Sequence, residues 1–438
     1  MGAPNILWIV TTQWRAQALG HAGDANARTP CLDALAARSV VFAQAVTPHP
    51  FGPFARAALL TGRASPANGV RDYFDPLPAG SRTIAHDMQD RGYGTAFFGK
   101  WHLGRRDPAW PLVGRAAATA VVPPPGRGGF EFWEGFDGGF LLNDPWLHGT
   151  RLPVPVQLPG YQSDVLTGLA AEWIAARGRE RGAPIGGDRS PDGSTGRPWF
   201  CVVSLETPHP PYDAPAAGVK PRPPADLILA ANVPRLGEVE SRARRELAGY
   251  YAHLEATDRS IGALVGALPR AAEPGYHPTI VVFTSVHGDM HGSHGLFRKG
   301  WPHEESVRVP LLVCGLPSAP GAVQVGRSGA AVSLSDLPGL TRAWADGAGA
   351  ALPPLPSHAE ISMPVVVALP HQCDRVWQGI RSPTRKLVWG ADPAAPPWLY
   401  FDLEQDPGEM RNLAHDPARS AEMAALRALW TTVDPGPS

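Results

Sequence analysis

The chain reads as an α/β domain with a mixed, mostly parallel sheet between helices, followed by a smaller C-terminal α+β subdomain. Three observations predict this. Short apolar runs with β-branched residues alternate with amphipathic stretches as far as Gly315, the pattern of parallel strands joined by helices. After Gly315 the runs shorten and are separated by Pro and Gly. The length of 438 residues, 44% hydrophobic and 18% charged, suits one large α/β domain with an appendage, at roughly 100–200 residues per domain.

The elements follow in order. Asn5–Val10 is apolar enough to be a strand buried on both faces. Pro30–Ala37 predicts a helix with Leu32, Leu35 and Ala36 on one face, and Val40–Phe42 a second strand. Arg56–Thr61 reads as helix ended by Gly62, which suits a left-handed C-cap. Thr83–Arg91 predicts another helix, followed by Gly92 and the strand Thr95–Phe98. A helix starts at Asp164 and runs to about Arg177. Phe200–Leu205 and Thr279–Thr284 predict buried strands. Between them lies a long helix, Ser241–Leu268, capped by Ser241 and stopped by Pro269. Residues 116–129, with Pro123, Pro124 and Pro125, and residues 177–198, rich in Gly, Arg, Ser, Asp and Pro, read as flexible insertions. The domains divide as 1–315 and 316–438. In the second, Met363–Leu369, Arg385–Trp389 and Trp398–Phe401 predict an antiparallel sheet, and Ala418–Leu429 a closing helix.

Lys plus Arg is 39 and Asp plus Glu is 40, a net charge of -1. That balance argues against a general nucleic-acid binder. No run approaches the ~18 apolar residues of a membrane span, and the opening MGAPNILWIVTT lacks the basic start of a signal peptide. A cytoplasmic protein is expected, with no nucleic-acid or membrane partner and oligomerisation left open. Cys31, Cys201, Cys314 and Cys373 form no CxxC pair, which supports neither a zinc ribbon nor a disulfide scaffold. Cys201 and Cys314 sit in apolar runs and read as buried thiols.

An ordered set of segments resembles the sulfatase family of the alkaline phosphatase superfamily. These are Pro4–Gly20, Thr29–Pro50 running into Arg56–Arg63 (RAALLTGR), GKWHLG at Gly99–Gly104, LETPHPPY at Leu205–Tyr212, FTSVHGDMHGSHGLFRKG at Phe283–Gly300, EESVRVPLLV at Glu304–Val313, and Leu399–Pro417. The resemblance spans nearly the whole chain and implies a sulfatase-like α/β domain with a small C-terminal sheet domain. It also implies a chemistry: a divalent metal, usually calcium, held by acidic and amide side chains; a Cys, converted to formylglycine, or Ser nucleophile in C/S-x-P-S/A-R; and Lys and His residues on the sulfate.

Carried onto this chain, the pattern departs at several positions. Thr12-Gln13 stands where the family has Asp-Asp or Asp-Gln, and Val286-His287 where it has Asp-Asn or Asp-His. Gly52 takes the nucleophile position without a gap; Phe51 takes it if Gly52-Pro53 matches a C-G-P form and Phe54 is an insertion. Neither is Cys or Ser, so no formylglycine is expected. Calcium asks for about 6–8 oxygens with several carboxylates, which these residues do not supply, so no metal and no other cofactor is expected. Arg56, Lys100, His102, His209, His287 and Lys299 stand at family pocket positions. Of these, Lys100, His102, His209 and Lys299 are the candidates for any catalysis, and Arg56, Lys100, His209, His287 and Lys299 for ligand binding. With carboxylates and metal gone, the pocket is expected to be electropositive and to take a small anion, a sulfate or phosphate ester or analogue. Crowded like charges are expected to lower the Lys pKa values.

Other residues have plainer readings beside sharper ones. His287, His291 and His294 have partly helical ligand spacing, but Gly288, Gly292 and Gly295 point to a loop. Thr11, Thr12, Thr47 and Ser285 are replacement-nucleophile candidates or simple polar fillers. Asp289, Glu304 and Glu305 either restore acidity or, for the two glutamates, pair with Arg308. Trp14, Trp101 and Trp301 either shape the pocket mouth or pack in the core. The functional expectation is a non-hydrolytic binder of a sulfate- or phosphate-bearing ligand. The alternatives are a metal-independent acid–base enzyme (elimination, rearrangement or transfer) in a bacterial specialised pathway, and an active sulfuric- or phosphoric-ester hydrolase with replacement ligands.

Overall fold

Successive side chains of a strand point to opposite faces, and both faces of the first strand, Asn5–Thr11, are apolar. Ile6, Trp8 and Val10 enter one core, while Leu7 and Ile9 enter the other. The computed structural model, which describes residues 3–180, 196–269, 277–316, 325–347, 356–392 and 394–430, places this strand inside a ten-stranded sheet. The order across the sheet is Gly326–Ser328, Ser39–Phe42, Leu311–Cys314, Thr279–Ser285, Asn5–Thr11, Trp199–Ser204, Gly94–Lys100, Phe132–Phe136, Trp146–Gly149 and Val156–Gln157. The central pairings are parallel: Asn5–Thr11 with both its neighbours, and Gly94–Lys100 with both of its own. Antiparallel strands extend the sheet on either side.

Helices cover both faces. Pro30–Ala36, Gln162–Glu180 and Glu238–Gly266 pack together on one, and Gly52–Thr61, Ile84–Gln89 and Leu337–Ala345 on the other. The second sheet is antiparallel in chain order, Ala359–Met363, Trp377–Arg381, Arg385–Gly390 and Pro397–Asp402. One of its faces, with Ile361, Trp377 and Val388, joins the main core. Ile380, Leu387 and Tyr400 on the other face pack on Met423 of the closing helix Ser420–Arg427. The fold class is therefore as expected. No helix among the described residues is long and apolar enough to cross a membrane.

Several boundaries differ from the sequence expectation. The helix predicted from Arg56 begins at Gly52, because Pro53 fits the first turn, where its missing N–H is not needed. The long helix begins at Glu238 behind Gly237. Ser241 is therefore inside its first turn, donating to the Gly237 carbonyl at 3.0 Å, and is not its cap. Residues 116–129 are built into the fold. They carry the helical turn Arg115–Ala118 and a 3-10 turn at Pro124–Gly126. Val122 is buried there, its N–H held by His148 Nε2 at 2.8 Å. Of the 177–198 insertion, residues 181–195 lie outside the described residues. The large layer also continues past Gly315, since Gly326–Ser328 pairs with Ser39–Phe42 and Leu337–Ala345 packs on two of its helices. In the small sheet the strand near Met363 ends there rather than beginning there, and Trp377–Arg381 is a further strand.

The two sheets are joined by a buried ionic knot. Glu304 meets Arg381 Nη2 and Lys386 Nζ, both at 2.8 Å, and Arg308 at 3.4 Å. Lys386 also reaches Glu409 at 2.6 Å and the Pro302 carbonyl at 2.9 Å. Removing one member of a buried ion pair strands the others, at a cost of about 3–5 kcal/mol. Glu304→Ala is expected to lower unfolding free energy by about that much, read from the denaturant midpoint; a loss within the noise of a surface substitution would remove the knot from the account of stability.

Candidate functional site

Parallel strands that share a direction end at one edge, and loops leaving that edge converge. Thr12 and Gln13 follow Asn5–Thr11, Lys100 ends Gly94–Lys100 and His102 follows it, Glu206 and His209 follow Trp199–Ser204, and Val286 and His287 follow Thr279–Ser285. The N-terminus of Gly52–Thr61 and the loop carrying Lys299 come up against the same edge. Together they bound a cavity of about 1210 Å³ whose lining includes Thr12, Gly52, Lys100, His102, His209, His287 and Lys299. Gln13 and His102 have φ of 69° and 57°. That left-handed backbone is costly for non-glycine residues and collects at functional sites.

The basic groups of the floor are held in specific states. Lys100 Nζ lies 2.6 Å from Glu206 Oε1 and over the Phe140 ring at 4.5 Å. Lys299 Nζ donates to Gln13 Oε1 at 2.7 Å and lies 3.3 Å from His209 Nε2. His209 Nδ1 is 2.8 Å from the Pro210 carbonyl, which assigns the proton to Nδ1 and the lone pair to Nε2, facing the lysine. His287 has the same arrangement, Nδ1 to the Gly288 carbonyl at 2.9 Å, and its buried Nε2 has no partner among the described residues. Burial lowers Lys299 to about 7, with Lys100 and Arg298 acting in the same direction and Asp289 opposing. Lys100 is lowered as well, again chiefly by burial, with Glu206 opposing. Burial, reinforced by neighbouring cations, keeps His102, His209 and His287 neutral. The depressed lysines were expected, but desolvation outweighs the expected crowding of like charges.

Carboxylates are also present, contrary to the expectation of a pocket without them. Glu206 neutralises Lys100. Asp289 accepts from Tyr212 Oη at 2.6 Å, from Gln13 Nε2, and from the backbone N–H groups of His291 and Arg298 at 3.1 and 3.0 Å. Burial alone would raise its pKa, but His291, Arg298 and the Tyr212 hydroxyl hold it below the usual carboxylate range. The residues lining the cavity still favour anions: Lys100, Arg242, Arg245, Arg298 and Lys299 line it with Asp213 and Glu246, while Glu206 and Asp289 lie behind them against Lys100 and Arg298. Glu206 lies in a segment whose neighbour His209 was singled out. Arg242, Arg245 and Glu246 gave no local signal, because they come from a helix distant in sequence.

Arg56 does not line the cavity. Its guanidinium donates to the Lys100 carbonyl at 2.9 Å, Ser204 Oγ at 2.6 Å and Thr12 Oγ1 at 2.8 Å. It ties three loops together beneath the floor, where it was expected to bind ligand. Val286 is buried in the core. Thr11, Thr47 and Ser285 donate to the backbone carbonyls of Thr284, His49 and His287, and none lines the cavity. His287, His291 and His294 do not share a site: His291 does not line the cavity and packs behind its wall, against Tyr250 and Tyr212 at ring distances of 4.3 and 5.1 Å. Trp14 and Trp101 are core residues and Trp301 packs against the core. The aromatic walls are instead Phe51, Tyr73, Phe140 and Tyr212. All four cysteines are free, with Cys201 buried and Cys314 only partly so.

Gly52 occupies a tight place. A Cβ added there would lie 2.8 Å from His102 Nδ1 and 3.0 Å from Cε1. The absence of a side chain at residue 52 and the position of the His102 ring are therefore one geometric fact.

Comparison with known proteins follows the same outline. Residues 4–340 match the family model described as Sulfatase. An ulvan-active sulfatase of Formosa agariphila is 34% identical over 316 residues, 71% of this chain and 56% of its own length. The chain thus spans little more than half of that relative. A choline-sulfatase of Rhizobium meliloti is 28% identical, covering 98% of this chain and 85% of its own. Among solved structures, a phosphonate monoester hydrolase of Agrobacterium radiobacter superposes with a TM-score of 0.68 at 21% identity, covering 96% of this chain and 94% of its own. A structure holding its substrate D-glucosamine-2-N,6-O-disulfate gives 0.73 at 19% identity, covering 98% and 96%. At that identity the solved structures show the fold.

The contact between residue 52 and His102 makes a separable prediction. Gly52→Ala should destabilise the protein by about 1–3 kcal/mol, the cost of overpacking. His102→Ala should relieve it, giving a coupling of about 0.5–3 kcal/mol in a double-mutant cycle. Additive effects would show that the two positions do not compete for the same space.

Proposed function

We propose that this chain, which belongs to the sulfatase family, binds the sulfate or phosphate group of a small ligand on its cavity floor and does not cleave it by the family's metal-dependent route. One observation carries this reading: Lys100, His102, His209, His287 and Lys299 converge on one floor, opposite a residue 52 that has no side chain and little room for one. His209 and His287, whose N–H groups are spent on backbone carbonyls, present lone pairs, so the lysines supply both the donors and the charge for an anion. The named substrates of the relatives, ulvan, choline sulfate and a sulfated glucosamine, are consistent with an anionic ester as the ligand class.

The donor set does not fit the family's calcium. At the positions the resemblance assigns to the metal, Thr12 Oγ1 already takes Arg56, Gln13 Oε1 already takes Lys299, Val286 is apolar, and His287 offers one nitrogen. Calcium prefers about 6–8 oxygens, several of them carboxylate. Of the nearby carboxylates, Glu206 is taken by Lys100 and Asp289 is held by four donors. A second reading, metal-independent acid–base chemistry, is favoured by Lys299, held at about 7 and 3.3 Å from the neutral His209, since a group titrating near the working pH exchanges protons efficiently.

Calorimetric titration with inorganic sulfate tests the binding reading. Lys299→Ala should weaken sulfate by about 10–100-fold, the worth of one hydrogen bond to a charged group. A wild-type protein that does not bind sulfate, or one that cleaves an aryl sulfate at a rate abolished by chelator, would overturn it.

The pH dependence has a definite sign. Sulfate keeps its charge across neutral pH, so the protein's own groups set the trend. The competent form has Lys299 protonated, and in the free protein that form is lost as pH rises through about 7. Affinity should be flat well below that point and fall by about tenfold per pH unit above it. A flat profile from pH 6 to about 8 would separate Lys299 from the anion.

A further inference from the structure

Where the large domain meets the small sheet, three potential ligands face one another outside the cavity described above. His294 comes from the 3-10 turn Ser293–Gly295, Glu305 from the helix Glu304–Val307, and Glu409 from the segment after Pro397–Asp402. One ligand-type atom from each lies within 4.8 Å of the others. None of the three lines the cavity.

Glu305 carries the inference. Its side chain is 94% buried, with a relative exposure of 6%. Oε1 accepts from Asn232 Nδ2 at 2.7 Å. Oε2 is buried with no hydrogen-bond partner. Among the described residues Glu305 makes no ion pair. Buried Arg15 attracts Glu305 through space without an ion-pair contact, and the other cations nearby are engaged by its neighbours: Arg308 and Arg381 with Glu304, and Lys386 with Glu304 and Glu409. Arg308 was expected to serve Glu305 as well, but it does not reach it. A buried carboxylate oxygen with no hydrogen bond and no contact ion pair is costly, and buried charges are normally paired or bound to metal. The shell around it shows the same deficit. Asn232 Oδ1 and His303 Nδ1 are buried without partners. Asn232 Nδ2 is 3.1 Å from His294 Nε2, and the His303 ring stacks on His294 at 4.4 Å.

An imidazole nitrogen with two carboxylate oxygens is a donor set for zinc and similar ions rather than for calcium. Asn232 Nδ2 touches both His294 Nε2 and Glu305 Oε1 and holds the two side by side, and the ion would take the Nε2 lone pair in place of that amide. We propose that His294, Glu305 and Glu409 form a binding site for a divalent transition ion of the zinc class, distinct from the anion cavity. Lys386 stays on Glu409 Oε1 and the Glu304 N–H on Oε2, at 2.6 and 2.7 Å. Each oxygen keeps a lone pair for the ion. The ion would clamp the small sheet to the large domain, since Glu409 belongs to the first and His294 and Glu305 to the second.

The test uses the full chain, freed of metal by dialysis against chelator and titrated with zinc chloride. Calorimetry is expected to show one equivalent bound, with a rise in melting temperature. Glu305→Gln keeps the Asn232 contact and should weaken zinc at least ~10–100-fold, a loss known even for outer-shell changes. His287→Ala, which removes the unpartnered nitrogen of the anion cavity, should leave zinc binding unchanged. No zinc binding to the wild-type chain overturns the proposal. It also fails if Glu305→Gln binds as well as wild type, or if His287→Ala abolishes binding. Should Glu305→Gln not fold, cobalt(II) added to the wild type reads ligation directly: a visible band supports the site and a spectrum like aqueous cobalt overturns it.

Discussion

Parallel strands must all end at the same edge of their sheet, and everything functional in this molecule hangs from that constraint. Four neighbouring strands, Thr279–Ser285, Asn5–Thr11, Trp199–Ser204 and Gly94–Lys100, run in one direction. The residues that leave their ends are His287, Thr12 and Gln13, Glu206 and His209, and Lys100 and His102. Segments far apart in sequence become one surface because the hydrogen-bond register allows no other arrangement. Arg56 then locks the edge from below, bonding to the loops after three of those strands or to their last residues.

The same geometry sets the electrostatics. The strand ends are covered by loops and by the helix Gly52–Thr61, so charges placed there are largely out of water. Burial then decides most protonation states: it neutralises His102, His209 and His287 and brings Lys299 to about 7. Lys100 is depressed too, but Glu206 at 2.6 Å opposes burial there. The floor therefore holds two lysines of different character. Lys100 is committed to a carboxylate and Lys299 to a neutral amide oxygen, which leaves Lys299 the more available to an anion.

Charge also joins the two sheets. The apolar face of the small sheet continues the main core, but an apolar contact alone sets no register between them. Glu304 supplies that register by meeting Arg381 and Lys386 of the small sheet from the large domain. Trp377 Nε1, donating to the Gly300 carbonyl at 2.8 Å, adds a directional bond next to the loop of Lys299. The C-terminal sheet thus buttresses one wall of the cavity as well as closing the fold. Among the described residues Glu305, one residue along, takes no part in these ion pairs.

The order of strands and helices was legible in sequence, because buried strands and amphipathic helices impose different hydrophobic periods. Family membership was legible too, from ordered motifs that carry most of the pocket residues. Less legible were elements whose cues are non-local. Trp377–Arg381 and Gly326–Ser328 are strands because of what they pair with, and residues 116–129 are ordered because His148 and the core hold Val122 in place. Arg56 could be assigned to the pocket region from sequence, but only the fold turned its guanidinium away from the cavity and into the backbone beneath it. Likewise the amino-acid order showed that residue 52 has no side chain, while the lack of room for one, since an added Cβ would lie 2.8 Å from His102 Nδ1, arises only once strand and helix have met. Residue identity determines which charges and hydrogen-bonding groups are available. Tertiary structure decides which of them are desolvated, which are already partnered, and hence which remain to meet a ligand.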